Sequence, residues 1–176
     1  AYDARIMPIR VLDDNGSGTY EAVNAGIRYA ADNGADVINL SLGGGGFDQT
    51  TYESVRYASE RGSIVVMAAG NSGTSEPGYP ARYATDFGIA VGAVDRNRDM
   101  AYFSNRAGNT IMDYVTAPGV DIYSALPGNR YASWDGTSMA APHVAGVVAL
   151  LSSYDSNLSV EQIEDLISET GNNAIT

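Results

Sequence analysis

Three short apolar stretches constrain what this 176-residue chain can fold into: residues 36–42 (Asp-Val-Ile-Asn-Leu-Ser-Leu), 63–69 (Ser-Ile-Val-Val-Met-Ala-Ala) and 88–94 (Gly-Ile-Ala-Val-Gly-Ala-Val). They read as buried strands, covered on both faces rather than wet on one. Helical stretches lie between the first of them and its neighbours. Thr19 can cap a helix running to about residue 33, with Val23, Ile27, Ala30 and Ala31 on one face and Gly34 past its end. Thr50 and Glu53 read as the capping box of a second helix, about 51–61, closed by Gly62. Strands alternating with helices through short turns predict an α/β fold of three layers. A mostly parallel sheet would carry helices on both faces, with right-handed crossovers.

The rest of the chain fits around that frame. Residues 5–12 read as a further strand, with Pro8 confining it to an edge or irregular position. Residues 74–86 are polar, with two prolines, and read as a surface loop. Short strands are predicted at 114–118 and 121–126, around the Pro118-Gly119 turn. Pro127-Gly128-Asn129 then turns the chain toward residue 136. A last helix spans about 160–170, with Ser159 and Gln162 as its capping box and Gly171 as its stop. No internal repeat, linker or low-complexity tract interrupts residues 1–176, so they read as one domain.

Open parallel sheets bind ligands beyond the carboxyl ends of their strands. Two glycine-rich segments fall there, Gly43 to Gly46 and Gly70-Asn71-Ser72-Gly73. Neither has the spacing of a nucleotide-binding loop. A net charge of −11 argues against a nucleic-acid partner, because phosphate binding needs a basic surface. The absence of cysteine excludes disulfides, thiol nucleophiles and thiolate metal sites, and no apolar run is long enough to span a membrane.

The longest distinctive stretch is Gly136-Thr137-Ser138-Met139-Ala140-Ala141-Pro142-His143-Val144-Ala145-Gly146. It places Ser138 at the start of a helix, where spare backbone N–H groups favour developing negative charge. Ser138 alone could equally be a capping residue, and Asn71 alone a turn residue between glycines. Gly16, Ser17 and Gly18 read either as a flexible loop or as a backbone ledge on which another chain can pair. Behind Ser138 the run Ala145, Val147, Val148, Ala149, Leu150 and Leu151 suggests a helix pressed against the sheet.

Taken in order, Ser41-Leu42-Gly43-Gly44, Ala68-Ala69-Gly70-Asn71-Ser72-Gly73 and the serine motif resemble the subtilisin-like serine endopeptidases. The resemblance extends through nearly the whole chain. It implies that Ser138 is the nucleophile and that Asn71, with the Ser138 backbone N–H, stabilises the oxyanion. It implies a cleft in which a peptide or protein substrate lies extended between Gly16, Ser17, Gly18 and Ser41, Leu42, Gly43. Tyr20 would flank a pocket upstream of the cut. The primary pocket would be walled by Ala68, Ala69 and Gly70 and floored near Gly78, with Thr137 and Met139 beside the nucleophile. Secretion to the extracellular medium is implied as well.

The only histidine, His143, lies five residues after Ser138 on the same predicted helix, on a different face, and reads as structural. The family's catalytic aspartate and histidine belong to Asp-Ser/Thr-Gly and His-Gly-Thr segments that precede the strand at 5–12. Neither motif occurs in this sequence. The expectation is therefore a C-terminal portion of a catalytic domain, incomplete on its N-terminal side and nearly inactive alone. It would be complemented by its missing N-terminal segment or by a second copy. The alternative is a non-catalytic domain that binds peptides or serves as a scaffold. No cofactor is required for the chemistry and no metal ligand is assigned. The resemblance allows a structural calcium ion near Ala81, Tyr83 and Asp113, where the residues themselves read as solvated surface.

Overall fold

The computed structural model of the chain describes residues 1–171. Positions 172–176 of the domain read from the sequence lie outside the described residues. Four parallel strands form the central sheet in the order β1 (Val37–Leu40), β2 (Ile64–Ala68), β3 (Ile89–Val94) and β4 (Tyr114–Pro118). Helices α1 (Tyr20–Asp32) and α2 (Gln49–Glu60) cover one face; α3 (Thr137–Tyr154) and α4 (Val160–Thr170) cover the other. The alternation of side chains along each strand divides the core. Val65 and Met67 of β2 meet Ile27 and Val55, whereas Ile64, Val66 and Ala68 meet Ala140, Val144 and Val148. The three-layer α/β architecture with helices on both faces is as the strand pattern predicts.

Helix ends follow local chemistry. Thr19 accepts from the Ala22 N–H at the start of α1, and Ser159 and Gln162 form a reciprocal capping box on α4. The cap of α2 differs from the expected Thr50–Glu53 box. Asp48 is the N-cap, accepting from the Thr51 N–H and from the hydroxyls of Thr50 and Thr51. Those hydroxyls, Thr50 first, hold the Asp48 carboxyl down at about 2. Glu53 instead accepts from Gln49 one turn earlier.

Four further expectations need correction. Residues 5–12 form no strand: β1 ends the sheet, and the segment lies over α1, with Ile9 and Val11 packed on the core and no ladder partner. The polar stretch 74–86 contains a 3-10 turn, Ala81–Thr85. It is anchored where Tyr83 exchanges hydrogen bonds with the Asp48 backbone. Beyond the turn at 127–129 the chain forms a strand rather than running directly to the serine motif. β5 (Ile122–Leu126) and β6 (Arg130–Trp134) make an antiparallel hairpin. Finally, α3 does not bury its whole apolar run. Val148 is fully buried, but Val147 and Leu150 are about half exposed, at 49% and 52%, because only one side of the helix faces the sheet.

α3 approaches the sheet closely through Ala140 and Ala141, both fully buried. Gly119 makes this approach possible. A Cβ there would lie 2.6 Å from Ala93 Cβ and 2.8 Å from the Gly136 carbonyl oxygen. The N-terminus of α3 is thereby seated against the carboxyl ends of the strands.

Candidate active site

Gly136 opens α3 as an N-cap without a side chain, and Ser138 is the second residue of the helix. Among the described residues the Ser138 N–H has no protein acceptor, as expected in the first turn of a helix. Its hydroxyl donates to the Ser41 carbonyl at 3.3 Å, and the Ser41 hydroxyl donates in return to the Ser138 carbonyl at 2.8 Å. Asn39, exposed on β1, donates to the Ser41 hydroxyl at 2.9 Å. The end of β1 is thus tied directly to the serine.

Asn71 leaves the end of β2 and reaches the same place. Its side-chain oxygen accepts from the Thr137 N–H at 2.9 Å and from the Thr137 hydroxyl at 3.0 Å. With the oxygen so engaged, the Asn71 amide nitrogen faces away from Thr137. It lies 3.6 Å from the point where a Cβ on Gly136 would sit, and the Ser138 N lies 3.7 Å from that same point. Two hydrogen-bond donors therefore lie near Gly136, at the start of the helix that carries Ser138. Thr137 is fully buried, and its hydroxyl also accepts from the Gly70 N–H at 3.1 Å.

The expected substrate-binding residues fall into two neighbouring groups. Gly16, Ser17, Gly18, Tyr20, Ser41, Leu42 and Gly43 all line one open cavity of about 620 Å³. The Tyr20 hydroxyl lies over the glycine run, 3.5 Å from the Gly46 carbonyl oxygen, and Tyr79 and Tyr83 close the far side. The second group is Ala68, Ala69, Gly70 and Gly78. The Gly78 N–H donates to the Ala69 carbonyl at 2.8 Å, so loop and strand end are joined. The Gly44 N–H donates to the Tyr79 carbonyl, which joins the two groups.

The ledge at Gly16 to Gly18 is a closed turn. Asp13 accepts through one carboxylate oxygen from the N–H groups of Asn15 and Ser17, both at 2.9 Å. The Asp13 N–H donates to the Ser17 carbonyl at 2.7 Å. The Ser17 N–H, then that of Asn15, lower the Asp13 pKa.

His143 is exposed, and its Nδ1 lies 2.9 Å from the Met139 carbonyl one turn back along α3. Among the described hydrogen bonds it makes none with Ser138. Near the expected calcium position, the Tyr83 carbonyl accepts from the Asp86 and Phe87 N–H groups. The Asp113 carboxyl, its pKa raised by burial, faces Ser168 and Asp165 on α4. Among the described residues no group of three or more His, Cys, Asp or Glu side chains could hold a metal ion.

Three contributors escape a sequence reading: Asn39, the hydroxyl of Ser41, and Asn105. Asn105 sits in a polar stretch with no helical or strand period, and its side-chain partners are more than thirty residues distant.

The family model described as the subtilase family matches residues 1–175. Over 97% of its length the chain is 51% identical to the thermophilic serine proteinase of Bacillus sp. (strain AK1), and it covers 43% of that protein. It is 49% identical over 96% of its length to thermitase of Thermoactinomyces vulgaris, covering 60% of it. Among solved structures, a cold adapted subtilisin-like serine proteinase superimposes with a TM-score of 0.85 at 36% identity. That match covers 95% of this chain and 60% of that one. The chain thus spans less than two thirds of each of these proteins.

Proposed function

The chain belongs to the subtilase family, and from that premise we propose that it is the nucleophile-bearing part of a secreted serine endopeptidase. The observation that carries the reading is that Thr137 engages the Asn71 side-chain oxygen, leaving the Asn71 amide nitrogen and the Ser138 N–H, both near Gly136, without protein acceptors among the described hydrogen bonds. Negative charge appears on a peptide carbonyl oxygen only as the tetrahedral intermediate forms. Two fixed neutral donors there favour the transition state over the bound substrate.

In the proposed reaction the Ser138 oxygen attacks the carbonyl carbon and its proton passes to a base. The base then protonates the departing amine as the C–N bond breaks, and water releases the acyl group by the reverse path. The substrate main chain lies extended between the Gly16–Gly18 ledge and Ser41 to Gly43. Ala68, Ala69, Gly70 and Gly78 are assigned to the walls and floor of the primary pocket. No cofactor takes part.

His143 is turned along its own helix and is not the base. We assign base and orienter to a complementary segment of the same enzyme. Two surfaces support such a partner. β1 ends the sheet with one side unpaired among the described strands, and α3 exposes Val147, Leu150 and Tyr154.

Mixing the chain with an N-terminal segment carrying the Asp-Ser/Thr-Gly and His-Gly-Thr motifs, then assaying peptide hydrolysis, tests the reading. Hydrolysis that appears on mixing and is lost in Ser138→Ala is the expected result. A bound complex without activity would overturn it in favour of a peptide-binding scaffold. The chain alone is expected to show trace hydrolysis at most, and rapid fluorophosphonate labelling of Ser138 without the partner would contradict the assignment of the base.

A further inference from the structure

Asn105 is buried, with 4% of its surface exposed, in the loop between β3 and β4. Every polar group of its side chain is spent on the segment that carries Asn71. The side-chain nitrogen donates to the Ala69 carbonyl at 2.9 Å. The side-chain oxygen accepts from the Ser72 N–H at 3.0 Å and the Thr74 N–H at 3.2 Å. The Asn105 backbone N–H donates to the Gly70 carbonyl at 2.9 Å. These bonds grip the chain on both sides of Asn71, while Asn71 itself makes none with Asn105.

The grip is anchored in the sheet. The Asn105 carbonyl accepts from the Tyr114 hydroxyl on β4 at 2.7 Å and from the Ser104 hydroxyl at 3.2 Å; Ser104 in turn accepts from the Ala93 N–H on β3. The fit is close. A Cβ on Gly70, where φ is +105°, would lie 2.5 Å from the Asn105 side-chain nitrogen. Ser72 and Thr74 are exposed residues, so their N–H groups could have been left to water. Drawing both onto one buried amide gives an otherwise exposed turn a single conformation.

We propose that Asn105 is a positioning residue for the oxyanion donor. It fixes the backbone of 69–74 from below, while Thr137 fixes the Asn71 side chain from α3. A donor loop held at one end only would sample positions in which the amide misses the oxyanion, and misplacement of about 1 Å is enough to lower turnover by up to about a hundredfold. The kinetic part of this inference rests on the proposed endopeptidase reading; the structural part does not.

The experiment has two arms. In the chain itself, amide hydrogen exchange at Ser72 and Thr74 is expected to be slow and to accelerate at least about tenfold in Asn105→Ala, with β2 and β3 amides unchanged. Should Asn105→Ala unfold the sheet, Asn105→Asp replaces it. Asp keeps the acceptor but not the donor, so Ser72 and Thr74 stay protected. Unchanged exchange in Asn105→Ala, or lost protection in a folded Asn105→Asp, overturns the proposal.

In the complemented enzyme, Asn105→Ala is expected to lower kcat by about ten- to a hundredfold with KM within about threefold. In an Asn71→Ala background the same change should lower kcat by less than about threefold, because the group it positions is gone. Independent losses would overturn the positioning role. If the wild-type complex hydrolyses nothing while the exchange pattern holds, the endopeptidase reading fails and the loop clamp stands.

Discussion

Thr137 directs both its backbone N–H and its hydroxyl at the side-chain oxygen of Asn71, at 2.9 and 3.0 Å. In the proposed reaction the pairing decides which end of the amide meets the oxyanion. An asparagine free to turn would present oxygen and nitrogen alternately, and an oxygen there would repel an oxyanion. Thr137→Val keeps the shape and the N–H but removes the hydroxyl. It is expected to lower kcat of the complemented enzyme by about tenfold while KM stays nearly constant. Thr137→Ser, which restores the hydroxyl, should recover most of the loss. Equal changes in kcat for both variants would show that the hydroxyl does not orient the amide.

Asp13 holds the Gly16–Gly18 ledge through two N–H groups on one carboxylate oxygen. Asp13→Ala should loosen the turn and raise KM about three- to tenfold, with kcat little changed, because in the proposed reaction the ledge binds substrate and transition state alike. Asp13→Asn keeps an acceptor oxygen and is expected to stay within about twofold of wild type. Steady-state kinetics on peptides of increasing length would check this: the effect should vanish for substrates too short to reach the ledge.

Gly119 lies where the sheet and the start of α3 nearly touch. Gly119→Ala forces a methyl against Ala93 and the Gly136 carbonyl, both rigid neighbours. A loss of about 1–3 kcal/mol is expected in denaturant unfolding. Activity should fall further than stability accounts for, since Gly136 caps the helix that carries Ser138. Gly46, which meets nothing within 4 Å, is the control: Gly46→Ala should leave stability nearly unchanged.

Glu164 on α4 is buried, and burial lifts its carboxyl from the ordinary 4.5 to about 7, with the nearby Asp113, Asp165 and Glu161 adding to the rise. It accepts from the Gly88 N–H at 2.9 Å, just before β3 begins. The folded chain therefore holds this proton more tightly than the unfolded chain. The stability it contributes is full below about 4.5, falls as pH rises toward about 7, and is lost above. Glu164→Gln retains the acceptor without the charge. It should raise stability by roughly 1–3 kcal/mol at pH 8, leave it unchanged near pH 4, and flatten the slope between. Thermal melts of both proteins from pH 4 to 8 would show whether the slope disappears.

Sequence and structure divide along the range of the interactions involved. The four strands of the sheet, the helices on both its faces and most helix ends were legible. Each is written within a few residues: the apolar runs of β2 and β3, Thr19 over Ala22, Ser159 with Gln162. The serine motif and Asn71 stood out in the sequence because their residue types and order are distinctive. What failed depended mostly on distant partners, the local cap of α2 excepted. The 5–12 segment has strand-like residues, yet a strand exists only when another edge pairs with it. The cap of α2 went to Asp48 because its carboxylate reached three donors at once, where Thr50 could have offered a single hydroxyl. Asn105 carries no local pattern at all.

The sequence by itself thus determined the layered frame and the chemical types available at its strand ends, since hydrophobic period, capping and turn preference are local. Only the tertiary structure decided that Thr137 aims the Asn71 amide, that Asn105 grips its loop, and that one side of α3 remains uncovered. Hydrogen-bond direction and burial are properties of neighbours in space, and those neighbours lie thirty to a hundred residues apart along the chain.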